Sequence, residues 1–318
     1  MKELYQHLAI SDLLTGLELP DDAAIWRLDD TRGLVVTTDF FTPVVDNPYD
    51  YGAIAAANSL SDVYAMGGQP FLALNIAALP PNLPVDFLSE IMRGGAEKAL
   101  EAGVIIAGGH TVQDKEPKFG LVALGFVDLD KIITKSGASV DEVLVLTKPL
   151  GFGCITTALK QQKVQEEDLV TAVDWMKRLN HHASQIATKC HVRGGTDVTG
   201  FGLLGHALEV AEASEVRLEF DLQAIPHLAG SESYASNWIF PGGTFDNNSY
   251  YAPRVEFDGA IDEVSRLRLF DPQTSGGLLL CVPPDHIETF RSDARRLGQP
   301  WWEVGKVTEG TGVSVLDR

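Results

Sequence analysis

Thr37-Thr38-Asp39-Phe40-Phe41-Thr42-Pro43, followed by Asn58-Ser59-Leu60-Ser61-Asp62-Val63-Tyr64-Ala65-Met66-Gly67-Gly68, decides how the chain folds. An apolar strand, Leu34 to Thr38, ends on the carboxylate of Asp39. After a proline-containing turn comes a helix, Tyr51 to Met66, stopped by Gly67-Gly68. Asn58 and Asp62 are four residues apart, so they share one helix face. The rest of that helix is largely Ala, Ile, Leu and Val. A carboxylate on such a helix is costly to bury unless something pairs with it. No Lys or Arg occurs between Arg32 and Arg93 to do so. A capping role for Asp39 and a solvated Asp62 would explain each residue alone. Together, carboxylates in a cation-free segment favour a divalent metal site.

Outward from this stretch the pattern continues. Asp21-Asp22-Ala23-Ala24 leads into a strand, and residues 1 to 20 read as a short helix and a connection ending at Pro20. Phe71 to Ala78 is a buried strand, and Pro84 to Ala102 has the apolar spacing of a core-facing helix. Val104 to Ala107 is a short strand ending in Gly108-Gly109-His110-Thr111, and Gly120 to Val127 is another. The order β-β-α-β-α-β-β is an α+β unit of ferredoxin-like type. The polar stretch Asp128 to Gly137 reads as a linker, giving domains of residues 1–130 and 131–318.

The second unit starts with a strand, Glu142 to Thr147, and a glycine turn at Gly151-Phe152-Gly153. A long helix runs from Ala172 to about Lys189. A helix to Ala213 and a strand at Val216 to Phe220 lead into a looser region, Ser231 to Tyr251. A strand at Leu278 to Val282, a helix, and strands near Val304 and Val313 close the chain.

A length of 318 residues suggests two domains. The net charge of −19 argues against non-specific nucleic-acid binding and against anionic membrane surfaces. A phosphate ligand would need metal ions as its counter-charge. Cys154, Cys190 and Cys281 are far apart, with no Cys-x-x-Cys, as in a reduced cytoplasmic protein. No stretch has the length of a membrane span, and the N-terminus has no signal-peptide core.

Gly200-Phe201-Gly202-Leu203-Leu204-Gly205 matches the dinucleotide pattern, but that pattern needs a buried apolar strand before it. Arg193 to Thr199 is not one, and Asp197 would repel a pyrophosphate lacking metal. There is no P-loop and no His-Glu-x-x-His. For His110 and His206 a local hydrogen bond is favoured over metal ligation. Gly276-Gly277 reads equally as an anion nest or a strand-entry turn. What remains is Asp22, Asp39, Asp62 and Asp197, each at an element edge. Hard oxygen ligands suit Mg²⁺ bridging carboxylates to nucleotide phosphates. Backbone N–H groups from Gly108 to Thr111 could hold phosphate oxygens.

The chain resembles the selenophosphate synthetase (selenide, water dikinase) family, within the aminoimidazole ribonucleotide synthetase superfamily. The matching stretches are those at 21–24, 38–43, 55–68, 108–111, 114–120, 197–206 and 271–277. The resemblance implies a two-domain α/β fold and a homodimer whose N-terminal strands form a shared barrel. It implies conversion of ATP, selenide and water to selenophosphate, AMP and phosphate, with selenide or a selenium-delivery protein as partner. By position, Asp22, Asp62 and Asp197 would be Mg²⁺ ligands, Asp39 an ATP-site residue and Asn58 its polar neighbour. Gly109, His110 and Thr111 would contact ATP, a contact the second subunit could supply.

One departure matters. The family carries a glycine-rich segment with a Cys or selenocysteine, and a Lys three residues later, before the Asp-Asp-Ala-Ala stretch. Residues 1 to 20 hold no Cys, and their single Lys is Lys2. The expectation is therefore a selenophosphate synthetase chain truncated of its catalytic loop, which binds ATP but, lacking this segment, makes no selenophosphate. A non-catalytic, regulatory nucleotide-binding dimer is the alternative. A thiamine-phosphate kinase is a third reading, from which Asp114-Lys115-Glu116-Pro117-Lys118-Phe119-Gly120 points away.

Overall fold

Strands β1 (Leu13–Thr15), β2 (Ala24–Arg27), β3 (Arg32–Phe41), β4 (Gln69–Leu79), β5 (Ile105–Gln113) and β6 (Lys118–Asp128) form one sheet, ordered β1-β2-β3-β6-β4-β5. The computed structural model describes residues 11–16 and 20–318. Neighbours in this sheet are antiparallel except β4 and β5. The pairing of β3 with β6 runs from Arg32 opposite Asp128 to Phe41 opposite Phe119, which sets Asp39 opposite Leu121.

Helices α1 (Pro48–Ala65) and α2 (Val85–Glu101) follow β3 and β4 in sequence. The α1 helix starts where the Asn47 side chain accepts a hydrogen bond from the Asp50 N–H, with Pro48 in its first turn. It is buried almost all round, from Tyr51 to Ser61 and again from Val63 to Ala65. Such a helix needs small residues where another helix crosses it. A Cβ on Gly52 would stand 2.0 Å from the Ile91 carbonyl oxygen, and one on Gly94 would stand 2.0 Å from that of Tyr49. The two glycines let the backbones of α1 and α2 touch, and this fixes the angle at which α1 presents Asn58 and Asp62.

The second sheet contains β7 (Val143–Leu146), β8 (Gly194–Asp197), β9 (Arg217–Asp221), β10 (Val255–Phe257), β11 (Leu278–Val282), β12 (Trp302–Thr308) and β13 (Gly312–Leu316). Their order is β10-β13-β9-β12-β7-β11-β8. Its helices are α3 (Phe152–Lys160), α4 (Glu166–Lys177), α5 (His181–Lys189), α6 (Gly202–Ser214), α7 (Ser231–Ser236), α8 (Gly242–Tyr251), α9 (Glu263–Leu269) and α10 (Ile287–Leu297). One hydrophobic core draws on both halves of the chain. Tyr51, Ile54 and Phe119 pack in it with Phe152, Met176 and Phe240.

Several local expectations need correction. Within residues 1 to 20, Leu13–Thr15 is a strand paired with β2, while residues 1–10 and 17–19 lie outside the described residues. The expected short helix and Lys2 fall there. The single helix from Ala172 to Lys189 is two, α4 and α5, because residues 178–180 leave the helix. The Asn180 side chain binds elsewhere, as described below. The glycine turn at 151–153 opens α3, and the loose region from 231 to 251 holds α7 and α8. The strand expected to end at Ala107 continues to Gln113, so Gly108 to Thr111 are strand and not loop.

The dinucleotide-like stretch does follow a strand, β8, but the topology is wrong for a Rossmann site. β8 is an edge strand antiparallel to β11, and β12, β7 and β11 separate it from β9. A Rossmann βαβ unit packs its helix across adjacent parallel strands, whereas β8 and β9, though parallel, are kept apart by those three strands, each antiparallel to its neighbours. No helix among the described residues is long and apolar enough to cross a membrane.

Candidate active site

Four elements bring the aspartates together. Asp22 precedes β2, Asp39 lies near the end of β3, Asp62 on α1 and Asp197 at the end of β8. Each carboxylate is held by a short polar side chain from a neighbouring element. The Thr37 hydroxyl donates to Asp62 Oδ2 at 2.5 Å, and the Ser61 hydroxyl donates to Asp197 Oδ2 at 2.6 Å. Thr196 Oγ1 donates to Asp22 Oδ1 at 2.9 Å, and the Asn58 amide donates to Asp39 Oδ2. The Ser59 hydroxyl also donates to the Asp39 carbonyl at 2.8 Å.

The carboxylates sense one another. Burial, then the Asp197 charge, with Asp22 and Asp39 adding to it, pushes the Asp62 carboxyl well above its ordinary range. Asp197 is raised by burial and then by Asp22. Asp39 is raised by burial, against the opposing hydrogen bond from Asn58. Asp21, beside the cluster, is pushed up to about 7 by burial and the Asp22 charge. Desolvation and like-charge repulsion both disfavour ionised carboxylates, and a bound cation relieves both.

Among the described residues no three His, Cys, Asp or Glu side chains stand in closed metal-binding geometry. The group is a convergence of charge without a preformed ligand shell. It does have an open position. Asp22 Oδ2 is buried and finds no hydrogen-bond partner among the described residues. Acceptor oxygens of this kind, with one left free, suit a hard cation such as Mg²⁺.

A cleft of about 390 Å³ opens beside the cluster. Asp39 and Asn58 line it, with Phe41, Phe201, Gln273 and Thr274 among their neighbours. Asp22, Asp62 and Asp197 are not part of its lining. Its size falls in the usual range for small-ligand clefts. One wall is the loop before β11. There Ser275 takes a left-handed backbone at φ 55°. All its polar groups are engaged. Its N–H donates to Asn58 Oδ1 at 3.0 Å, its hydroxyl to the Met176 carbonyl at 2.6 Å, and its carbonyl accepts from Lys148 Nζ at 2.7 Å. Burial lowers the Lys148 ammonium to about 7. Asn180, at the break between α4 and α5, donates to Ser61 Oγ and to the Gly276 carbonyl, both at 2.9 Å. A Cβ on Gly276 would stand 1.8 Å from the Val198 carbonyl oxygen, so this glycine allows a close approach of two backbones.

His206 makes the local contacts expected of it. Its Nε2 lies 3.2 Å from Thr199 Oγ1 and accepts from the Phe201 N–H at 3.3 Å. Gly109, His110 and Thr111 are exposed on β5, the edge strand. With β6 and β4 between, β5 is three strand spacings from β3, roughly 14 Å. The sheet therefore does not bring them to Asp39 within one chain.

Sequence reasoning missed Thr37, Ser61, Thr196, Asn180, Lys135 and Glu209. The first three adjoin predicted aspartates or lie on the same strand, and that adjacency was the available signal. Lys135 Nζ lies 3.0 Å from Asp22 Oδ1 and 2.9 Å from Glu209 Oε2, and no local pattern announces it.

Residues 20–127 match the family described as AIR synthase related protein, N-terminal domain, and residues 139–318 match its C-terminal domain counterpart. The selenide, water dikinase of Caldanaerobacter subterraneus subsp. tengcongensis is 48% identical over 299 residues, covering 94% of this chain and 86% of the relative. That of Pseudomonas aeruginosa is 42% identical over 304 residues, covering 95% and 88%. Among solved structures, thiamine monophosphate kinase from Aquifex aeolicus aligns with a TM-score of 0.68 at 18% identity, covering 99% of this chain and 92% of that one. Hydrogenase maturation protein HypE in complex with ATP aligns with a TM-score of 0.67 at 20% identity, covering 96% and 86%. These two likenesses concern the fold alone.

Proposed function

The chain belongs to the selenide, water dikinase family, and from that premise we propose how its residues divide the work. The family's activity is that of selenophosphate synthetase: ATP, selenide and water give selenophosphate, AMP and phosphate. The residues placed here serve its nucleotide and metal binding, and the expectation that this chain makes no selenophosphate stands apart from them. In our reading Asp22, Asp62 and Asp197 hold Mg²⁺, and Asp39 and Asn58 form the floor of the nucleotide cleft. Bound Mg²⁺ supplies the charge that neutralises phosphate oxygens and polarises them for transfer. The protein's own part is to hold three carboxylates at fixed angles, through Thr37, Ser61 and Thr196. It also closes the cleft wall through Asn58 and Ser275. The observation that carries this reading is the convergence of Asp62, Asp197 and Asp22, each held by one hydroxyl, with Asp22 Oδ2 buried and partnerless among the described residues.

The test is equilibrium binding of ATP by calorimetry. Binding is expected with Mg²⁺ and absent in EDTA. Equal affinity in both conditions would overturn the assignment.

A homodimer is part of the same reading. The outer face of the first sheet is apolar and uncovered, with Ile105 68%, Phe40 46% and Trp26 44% exposed. Leu34 pairs with Phe126 and Leu72 with both Leu124 and Ile105, so the apolar side chains continue across strands. A patch of this kind on a polar protein marks an interface. A second copy would cover it, buried area above about 2,000 Å² being usual for permanent dimers, and would bring its Gly109, His110 and Thr111 toward the nucleotide. Light scattering at micromolar concentration is expected to give twice the chain mass, and Ile105→Glu is expected to halve it. A wild-type monomer would sink this part. A reduced cytoplasmic setting suits the three free, buried cysteines.

A further inference from the structure

Lys135 sits in the polar segment between the two sheets, 113 positions from Asp22 in sequence, yet its ammonium lies inside the carboxylate cluster. Its place is built from several sides. Thr134 N–H donates to the Arg193 carbonyl at 2.9 Å, and Gly195 N–H donates to the Thr134 carbonyl at 3.1 Å. This lays the segment beside the start of β8. The Lys135 N–H donates to Asp21 Oδ2 at 3.1 Å, and its carbonyl accepts from the Ser214 hydroxyl at 2.8 Å. From this fixed backbone the side chain runs inward, 11% exposed, to lie between Asp22 Oδ1 at 3.0 Å and Glu209 Oε2 at 2.9 Å. Glu209 in turn faces His206 Nδ1 at 3.3 Å, close in space but out of hydrogen-bond alignment.

We propose that Lys135 is a resident counter-charge of the carboxylate cluster, occupying one oxygen of Asp22 while leaving the other for a divalent cation. The inference rests on the metal-binding reading of Asp22, Asp62 and Asp197. Lys135 makes two contributions. It pairs Asp22 and Glu209 when no metal is bound, where a lone buried carboxylate would be strongly destabilising. It also subtracts one positive charge from what the cluster demands of solution, which weakens divalent binding. Glu209 moderates that effect, because it shares the ammonium with Asp22. Burial works against the charged lysine, but the Asp22 and Glu209 carboxylates outweigh it and hold the ammonium above its ordinary range.

The proposal predicts two substitutions of opposite sign. Lys135→Met keeps the length and apolar stem but removes the charge, so divalent binding should tighten by about tenfold or more. Glu209→Gln frees the ammonium to act on Asp22 alone, so binding should weaken several-fold. Lys135→Arg should stay within about threefold of wild type. The probe is Mn²⁺, titrated without nucleotide and followed by the paramagnetic resonance of the free ion. A merely structural lysine would move both neutralising variants in the same direction, or neither, and either result overturns the proposal.

The second arm is the melting temperature in metal-free buffer. Lys135→Met should melt lower than wild type, and most of that loss should vanish in an Asp22→Asn background, where the orphaned charge is gone. A loss of equal size in both backgrounds overturns the counter-charge role. If Lys135→Met does not fold, the contrast between Glu209→Gln and Lys135→Arg in the Mn²⁺ titration still decides, since unchanged affinity in Glu209→Gln is incompatible with the proposal. If the wild-type chain binds no Mn²⁺, the metal reading fails, and the Asp22→Asn melting comparison judges Lys135 without it.

Discussion

Asp62→Asn will melt higher than the wild-type protein in metal-free buffer and will gain no stability from Mg²⁺ and ATP. The carboxyl of Asp62, a half-buried residue, faces Asp197, Asp22 and Asp39, and loss of water is the largest reason it resists ionisation. An amide of the same shape removes the charge. Its Oδ1 can still accept the Thr37 hydroxyl, which is the one direct hydrogen bond to this side chain among the described residues. Each kcal/mol relieved is worth roughly 2 °C in a chain of this size. The functional loss is larger. ATP at about 100 times its Kd should stabilise the wild-type fold by roughly 2.7 kcal/mol, or roughly 5 °C. That gain should disappear in the variant, because under the proposed metal site the loss of one ligand would leave phosphate charge facing the remaining carboxylates. Scanning calorimetry with and without Mg²⁺ and ATP reads both effects. A variant that melts lower yet keeps the full nucleotide shift would remove Asp62 from the site.

The second large effect is on pH. Metal-free stability should fall as pH rises from about 4 to about 7. Asp21, Asp271 and Glu142 are each raised to about 7, with burial the largest cause in all three. Asp39, Asp62 and Asp197 are raised too. A carboxyl with a raised folded pKa keeps a proton that the unfolded chain has already released. The folded state then binds more protons, and stability declines through that window by up to about 1.4 kcal/mol per pH unit for each excess proton. Two imidazoles oppose this. His227 is lowered to about 3 and His181 is lowered as well, both chiefly by burial. They favour folding increasingly up to about pH 6.5, but they are two against six. Lys148, lowered to about 7, restores stability only above that pH. Urea midpoints measured at pH 5, 6 and 7.5 should decline in metal-free buffer and flatten when Mg²⁺ is added. A midpoint that rises across this range without metal would contradict the burial of these carboxyls.

Much of the first sheet was legible because its signals are local. Apolar runs bounded by Gly67-Gly68 and by prolines place β3, α1, β4 and α2 within a few residues of where they stand. The aspartates were legible for a related reason: a carboxylate among Ala, Leu and Val conflicts with its surroundings, and the conflict is visible in the sequence. The break at residues 178–180 was not legible. It follows from Asn180 turning to Ser61 and Gly276, partners 119 and 96 positions away. Lys135 was invisible for the same reason. The absence of Lys and Arg around Asp39 and Asp62 suggested carboxylates without a partner, whereas the partner of Asp22 arrives from a segment that reads as linker. At Gly108 to Thr111 only the end of the strand was misplaced. The glycines suggested that the strand stops at Ala107, and β-pairing with Asn75 to Ala77 on the edge of the sheet carries Gly109 to Thr111 on as strand.

The core that joins Tyr51, Ile54 and Phe119 to Phe152, Met176 and Phe240 bears on how the protein comes apart. Neither sheet can shed the other without wetting these rings and chains, and apolar surface on that scale costs about 25 cal/mol for each Å² exposed. The two halves should accordingly melt in a single calorimetric step. A chain cut between residues 128 and 143 should yield fragments that regain structure on mixing. Loosening at one sheet would then be felt as lost grip at the other, so heat should open the cleft beside Asp39 and disperse the carboxylate cluster together.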